Sequence, residues 1–183
     1  MLKSKNCQRI FKKPWIKATL KEINNLFNNQ TFLIEDQNEV EPVTPCMDVY
    51  KVKIQSYGSL DKLKLRILIR GYLQNKELVG DICSTTASMR TLKYLLVDET
   101  KHKAIFNQLY FIGAFLQAKV NNRVIVKLDI RYTDYFLEYE RYFGRALRLL
   151  KSMYGMINSG KLFADEFTEW LLESGFIRIR SLC

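Results

Sequence analysis

The chain has 183 residues, long enough for one ordinary domain or one and a half small ones, and its 48% hydrophobic content can fill a core. Lysine and arginine number 29 against 19 aspartate and glutamate, giving a net charge of +10, which suits a polyanionic partner such as nucleic acid and also suits a merely basic surface. Cys7, Cys46, Cys83 and Cys183 are scattered without zinc-ligand spacing, His102 is the sole histidine, and no run approaches the ~18 apolar residues of a membrane span, so a zinc site and a membrane-spanning helix are not indicated, a mechanism needing two imidazoles is ruled out, and a reducing intracellular setting, cytoplasmic or nuclear, is expected.

The N-terminus, MLKSKNCQRIFKKPW, is basic without the apolar stretch of a secretory signal, so a tail over 1–13 that contacts nucleic acid or simply frays is expected before the folded part. Pro14 suits a first helical turn, and Trp15, Ala18, Ile23, Leu26 and Phe27 recur at helical spacing, predicting a helix over about 14–27 ended by NNQ. TFLIE predicts a short strand and DQNEVEPVTP, with two prolines, a loop. MDVYKVKIQ and DKLKLRILIR alternate with period two around SYGSL, whose Gly58 supplies a turn, predicting a β-hairpin. Its second strand puts Lys62, Lys64, Arg66 and Arg70 on one face and Leu63, Leu65, Ile67 and Ile69 on the other. A row of cations above an apolar underside can hold phosphates without burying charge; it is also the pattern of an ordinary solvated strand.

GYLQNKELVGDICST reads as a loop, and TASMRTLKYLLVDE as a helix with Met89, Leu92, Leu95 and Leu96 at helical spacing and Thr86 or Ser88 as N-cap. KAIFNQLYF reads as a strand breaking at Gly113, NNRVIVKL as another, and GAFLQAKV between them as a short helical crossover or a wide turn. DIRYTDYFLEYERYFG, dense in rings and charge, reads as an ordered loop, and RALRLLKSMYGM as a strand entering a glycine turn. KLFADEFTEWLLES is a helix capped by Ser159 or Asn158, with Phe163, Phe167, Trp170 and Leu171 on one face and Gly175 as its left-handed stop. Mixed helices and strands with several antiparallel signals predict an α+β fold.

Four segments in order, W..A...E...L...QT over Trp15 to Thr31, VYKVKIQSYGSLDKLKLRILIRGYLQ, QLYFIGAFLQAKV and LRLLKSMYGMINSGKLFADEF, together resemble the reverse transcriptase of copia-type long-terminal-repeat retrotransposons. The resemblance covers roughly 14–183 and implies a right-hand polymerase fold, with fingers over about 14–100 and a partial palm over about 101–183. It implies an RNA template, a DNA primer and deoxynucleoside triphosphates as partners, and transfer of a nucleotide by two Mg²⁺ held by carboxylates about 3.5–4 Å apart. Lys64, Arg66 and Arg70 align with the cations that hold the incoming triphosphate. Phe115 falls where an aromatic packs against the sugar, or is simply core. The turn from Tyr154 to Lys161 resembles the segment beneath the templating pair, where Gly155 and Gly160 allow close backbone approach, Lys151 and Lys161 can meet phosphates, and Asn158 retains an amide where the family has Gln-Ala-Pro.

The departures concern the chemistry. The first metal-binding carboxylate belongs where Tyr110 stands, between the matching Gln108-Leu109 and Ala114-Phe115-Leu116. A phenol titrates near ~10 and offers magnesium little at neutral pH, and its ring crowds the ion's seat. The family's downstream Asp-Asp pair is absent from the sequence, Asp98-Glu99 and Asp165-Glu166 fall at a helix end and early in a helix, and nothing in the spacing of Asp129 makes it a metal ligand. Tyr57 and Tyr72 occupy further positions where the family carries aspartate. The expectation is a fragment that is inactive alone, with no productive Mg²⁺ site, or a basic module that binds nucleic acid without chemistry.

Overall fold

The computed structural model describes residues 12–35, 42–74, 79, 81–84, 88–102 and 108–177. Residues 1–11 of the expected tail over 1–13, most of the loop before Pro42, Thr86 and the start of the KAIFNQLYF segment lie outside the described residues, and Lys12 and Lys13 of that tail belong to the first helix.

Helix α1 spans Lys12–Asn28. Trp15, Thr19, Glu22, Ile23 and Leu26 fall on one stripe at spacings of three and four and are buried. The helix ends because Gln30 adopts a left-handed φ of 54° while Thr31 donates to the Leu26 carbonyl through both its N–H (3.2 Å) and its Oγ1 (2.7 Å). The chain then enters strand β1, Phe32–Ile34.

Strands β2 (Val43–Ile54) and β3 (Leu60–Ile69) form the expected hairpin, and β4 (Ile125–Lys127) and β5 (Leu147–Leu149) complete a five-stranded sheet in the order β1-β5-β4-β2-β3. The sheet is mixed. The first residues of β2 run parallel to β4, with Val43 opposite Ile125, and from Cys46 onward β2 pairs antiparallel with β3. Leu65, Ile67 and Ile69 pack with Ile23, Leu26, Val126, Leu147, Leu149 and Met153 in one core, so the alternation read from β3 holds in three dimensions.

Helix α2, Met89–Lys101, is capped by Ser88, whose Oγ accepts from the Thr91 N–H at 3.0 Å, yet Met89, Leu92, Leu95 and Leu96 stay exposed. The expectation of packed helices therefore fails for this one. The strand expected over KAIFNQLYF also fails where the segment is described. Residues 108–111 are irregular, because Phe111 spends its ring on Phe163 (5.5 Å) and Phe167 (5.0 Å) of the last helix. Gly113, at φ 64°, then opens a 3-10 turn over Ala114–Gln117, one of the two alternatives read there. The ring-rich stretch after β4 folds into 3-10 turns over Ile130–Asp134 and Leu137–Tyr142 that bury Tyr132 and Phe136.

Helix α3 spans Ser159–Glu173, and neither expected cap forms. The Asn158 amide donates to the Val79 carbonyl (3.3 Å), and Ser159 Oγ donates to the Met156 carbonyl (3.1 Å). Its end is as read: Gly175 has φ 88°, Phe176 N–H donates to Leu171 O and Gly175 N–H to Leu172 O, both at 3.0 Å.

The end of β3 crosses the turn after β5 at backbone contact. A Cβ on Gly71 would lie 2.1 Å from the Gly155 carbonyl oxygen, and one on Gly155 would lie 2.2 Å from that of Ile69. Gly58, at the hairpin tip, has open space around it. Gly155→Ala, which adds a steric clash to a φ of +89°, should lower unfolding stability by about 3 kcal/mol or more, against about 1 kcal/mol for Gly58→Ala, measured as denaturant midpoints.

Candidate nucleic-acid interface

In the hairpin Lys51 stands opposite Lys64, Lys53 opposite Lys62 and Val49 opposite Arg66. Directly opposed residues share a face, so Lys51 and Lys53 join Lys62, Lys64 and Arg66 in one patch of five cations. The two β2 lysines escape a reading of β3 alone, though the hairpin's register contains them. Lys64 has its ammonium pKa pushed down by partial burial and by its cationic neighbours, Arg66 first among them, with Glu22 opposing the shift.

β3 is an edge strand, and two of its outward N–H groups beside this patch are covered. Ile69 N–H donates to the Tyr154 carbonyl at 2.8 Å, and the Ile67 N–H is hydrogen-bonded to the Glu22 carboxylate from α1. Glu22 is 8% exposed, and burial raises its pKa, with the Ile67 hydrogen bond and the charges of Lys64 and Arg66 pulling the other way. Glu22 entered the sequence reading only as the E of W..A...E...L...QT, with no role assigned; an acid set within the apolar stripe of α1 was the signal for one.

The tie between Ile69 and Tyr154 brings the patch to a group of rings. The Arg66 guanidinium lies over the Tyr154 ring, 5.1 Å from its centroid. Phe115 meets Tyr154 edge-on at 5.6 Å and Phe163 at 6.5 Å. Tyr154 has its phenol pKa raised, chiefly by burial, then by Glu22, and also by Tyr110, which lies near enough to be felt. Lys64, Arg66, Phe115 and Tyr154 are thus gathered in one place, and Tyr110 stands 85% exposed in the segment before Phe115.

The other residues singled out in the sequence are engaged elsewhere. Arg70 has turned out of the strand: its N–H donates to the Pro45 carbonyl at 3.0 Å, and its side chain lines a cleft of about 960 Å³ with Asp48, Asp129 and Tyr132. In that cleft Tyr132 Oη donates to Asp48 Oδ1 at 2.5 Å, while Asp129 is bound by the Arg131 guanidinium. Lys151 Nζ donates to the Gln117 carbonyl at 3.0 Å, Lys161 Nζ sits 2.5 and 2.6 Å from the two carboxylate oxygens of Asp165, and Asn158 is buried. Gly155 spends its close approach on the Ile69 backbone, and the Gly160 carbonyl accepts from Ser84 Oγ at 3.3 Å.

Among the described residues no three His, Cys, Asp or Glu side chains gather as a metal site. Tyr110 brings a phenol, whereas a magnesium ion takes oxygen ligands of full charge. No helix among the described residues is long and apolar enough to cross a membrane.

Fold and site together define an α+β domain that presents a basic hairpin beside a ring cluster. Its homologues, at low identity, are copia-type Pol polyproteins of Arabidopsis transposons. The chain is 25% identical over 165 residues to the retrovirus-related Pol polyprotein from transposon RE2 of Arabidopsis thaliana, and 24% identical over 165 residues to that from transposon RE1. Each match covers 89% of this chain and 11% of the relative, so the chain spans about a ninth of the length of these relatives. It is also 31% identical over 62 residues to an uncharacterized mitochondrial protein of the same organism, covering 34% of this chain and 36% of that protein. No family model and no solved structure matches.

The raised pKa of Glu22 sets a pH dependence. A carboxyl that binds its proton more tightly folded than unfolded favours the folded state most at low pH, and that contribution is lost as pH rises from the ordinary value of 4.5 through the raised one. Glu22→Gln should therefore lose less stability than the parent chain between pH 4.5 and 7, measured by urea unfolding across that window.

Proposed function

We propose that the chain is a transposon-derived reverse-transcriptase fragment, fingers over about 14–100 and partial palm over about 101–183, that holds nucleic acid without polymerising it. One observation carries this: a face of five cations runs into the Arg66–Tyr154 pair, while the position that the resemblance gives to the first carboxylate is filled by Tyr110. The cations supply a sequence-independent grip on phosphates. Synthesis needs charged oxygens to hold two metal ions, and among the described residues no three His, Cys, Asp or Glu side chains gather to hold one. In this reading RNA template and DNA primer are ligands of a retained surface, the triphosphate has lost its metal-borne anchor, and Mg²⁺ has no productive seat. Arg70, Lys151 and Lys161, in their present engagements, contribute less to that grip than Lys62, Lys64 and Arg66.

The chain should show no primer extension with Mg²⁺ on any template, and Tyr110→Asp should not create it; extension by either, free of contaminating polymerase, would overturn the reading. Affinity for a single strand should fall with salt along a log–log slope of about −3.5, from five phosphate contacts at about 0.7 each. Lys62→Glu with Lys64→Glu should make that slope shallower by roughly 1.4, and equal retention of oligonucleotide at low and high salt would refute phosphate binding.

A further inference from the structure

The hairpin runs out of the domain. From Cys46 onward β2 has no neighbour in the sheet but β3, and every residue from Lys51 to Lys62 is exposed except the half-buried Gln55. Exposure on both faces of both strands means that nothing among the described residues packs on this part, so its last rungs stand in solvent as a two-stranded arm. From Tyr50 to Ile54 the arm reaches about 14 Å, at ~3.4 Å per residue. Its turn is closed by the Gln55 N–H donating to the Ser59 carbonyl and the Gly58 N–H to the Gln55 carbonyl, both at 2.9 Å, with Gly58 at φ 88°.

A turn that only reverses the chain is ordinarily tipped by small and polar residues. Here Ile54 stands opposite Leu60 at the tip, and Ile54, Tyr57 and Leu60 are 65%, 77% and 51% exposed. Immediately behind come two rungs of lysine, Lys53 opposite Lys62 and Lys51 opposite Lys64, and Asp61, at the register shift, is the one acid between Lys51 and Lys64. Exposed apolar side chains that stand singly need no explanation, but three at the end of a projecting arm, backed by four ammonium groups, match a polyanion with an apolar interior. A DNA duplex is such a partner: its phosphates meet the lysines, and apolar side chains enter between base pairs when a step opens. The lysines share one face of the arm, which suits a line of phosphates on one side better than the plane of charge that a membrane surface offers all round a tip.

We infer that the β2–β3 hairpin is a wedge for duplex DNA: its lysine rungs lie along the phosphates, and Ile54, Tyr57 and Leu60 enter a base step and unstack it. The inference rests on the phosphate-binding reading above and adds to it a deformation of the duplex. Pyrimidine–purine steps open at least cost, so the arm settles at them in preference to stiff A-tracts.

The test uses the whole chain and a DNA duplex carrying 2-aminopurine beside a central TA step, with anisotropy reading binding and 2-aminopurine fluorescence reading unstacking over a salt series. Saturation should raise the fluorescence about twofold or more, as a wedge in the step requires. Ile54→Ser, Tyr57→Ser and Leu60→Ser together should abolish the rise and leave the salt slope unaltered, since these side chains neutralise no phosphate. Lys51→Gln with Lys53→Gln should make the slope shallower by roughly 1.8, at about 0.9 per phosphate. Leu92→Ser, exposed on α2, should change neither. Salt-dependent binding with no rise, or a rise that the triple variant retains, would overturn the wedge and leave phosphate binding standing. Absence of salt-dependent binding by duplex and single strand alike would overturn both, and capture by vesicles of equal phosphatidylcholine and phosphatidylserine with none by the duplex would give the arm to a membrane instead.

Discussion

The arrangement depends on how the free edge of β3 is closed. An edge strand leaves every second N–H unpaired, and here two consecutive outward groups, Ile67 and Ile69, are met by the Glu22 carboxylate and the Tyr154 carbonyl. The second contact is possible because Gly71 and Gly155 carry no Cβ where the two backbones cross. That crossing fixes the turn after β5 against the hairpin, and so fixes Tyr154 beneath Arg66. Glu22 does a related job at an electrostatic cost, since a buried carboxylate is tolerated for the N–H it satisfies and for the cations nearby.

A single face of the hairpin thus joins local sequence to remote parts of the chain. Its cations come from alternation within two strands, which is a local property; its rings come from Phe115 and Tyr154, distant in sequence and joined through the backbone crossing. Phe163 and Phe167 of α3 then hold Phe111, and through it the segment that displays Tyr110. The cluster is continuous from α3 to the hairpin, and each contact in it is between rings or between a ring and a guanidinium. Such contacts need no carboxylate and no metal to persist.

Much of this was legible in the sequence. Period-two alternation identified β2 and β3 because a strand with one buried face must alternate, and helical spacing identified α1, α2 and α3 for the same reason. Position within the tertiary structure was less legible. Met89, Leu92, Leu95 and Leu96 form an apolar stripe that predicts burial, yet pattern alone cannot say whether another element arrives to cover it, and here α2 stays exposed. The residues QLYF have the composition of a strand, but the tertiary pull of two phenylalanines on α3 outweighs the propensity of a short segment. Asn158 and Ser159 are good caps by type, and both are diverted to carbonyls that become neighbours only once the chain has folded. The same limit applies at the site: Lys64 and Arg66 stay in the row that their spacing predicts, whereas Arg70 leaves it because the strand ends at Ile69 and the backbone turns.

Catalytic and structural residues are lost at different rates for a physical reason. A metal-holding carboxylate acts through its charge and its exact position, and replacing it with a ring removes the chemistry in one step. The packing around it is distributed over many ring contacts and a backbone crossing, each worth on the order of 1 kcal/mol, so it survives substitution at an exposed position such as Tyr110 almost unaltered. A cationic face is more tolerant still, because phosphate attraction adds over several lysines and asks little of their geometry. Under the proposed reading the scaffold and the cationic face outlast the reaction, and the Arg66–Tyr154 contact stands independently of what occupies position 110.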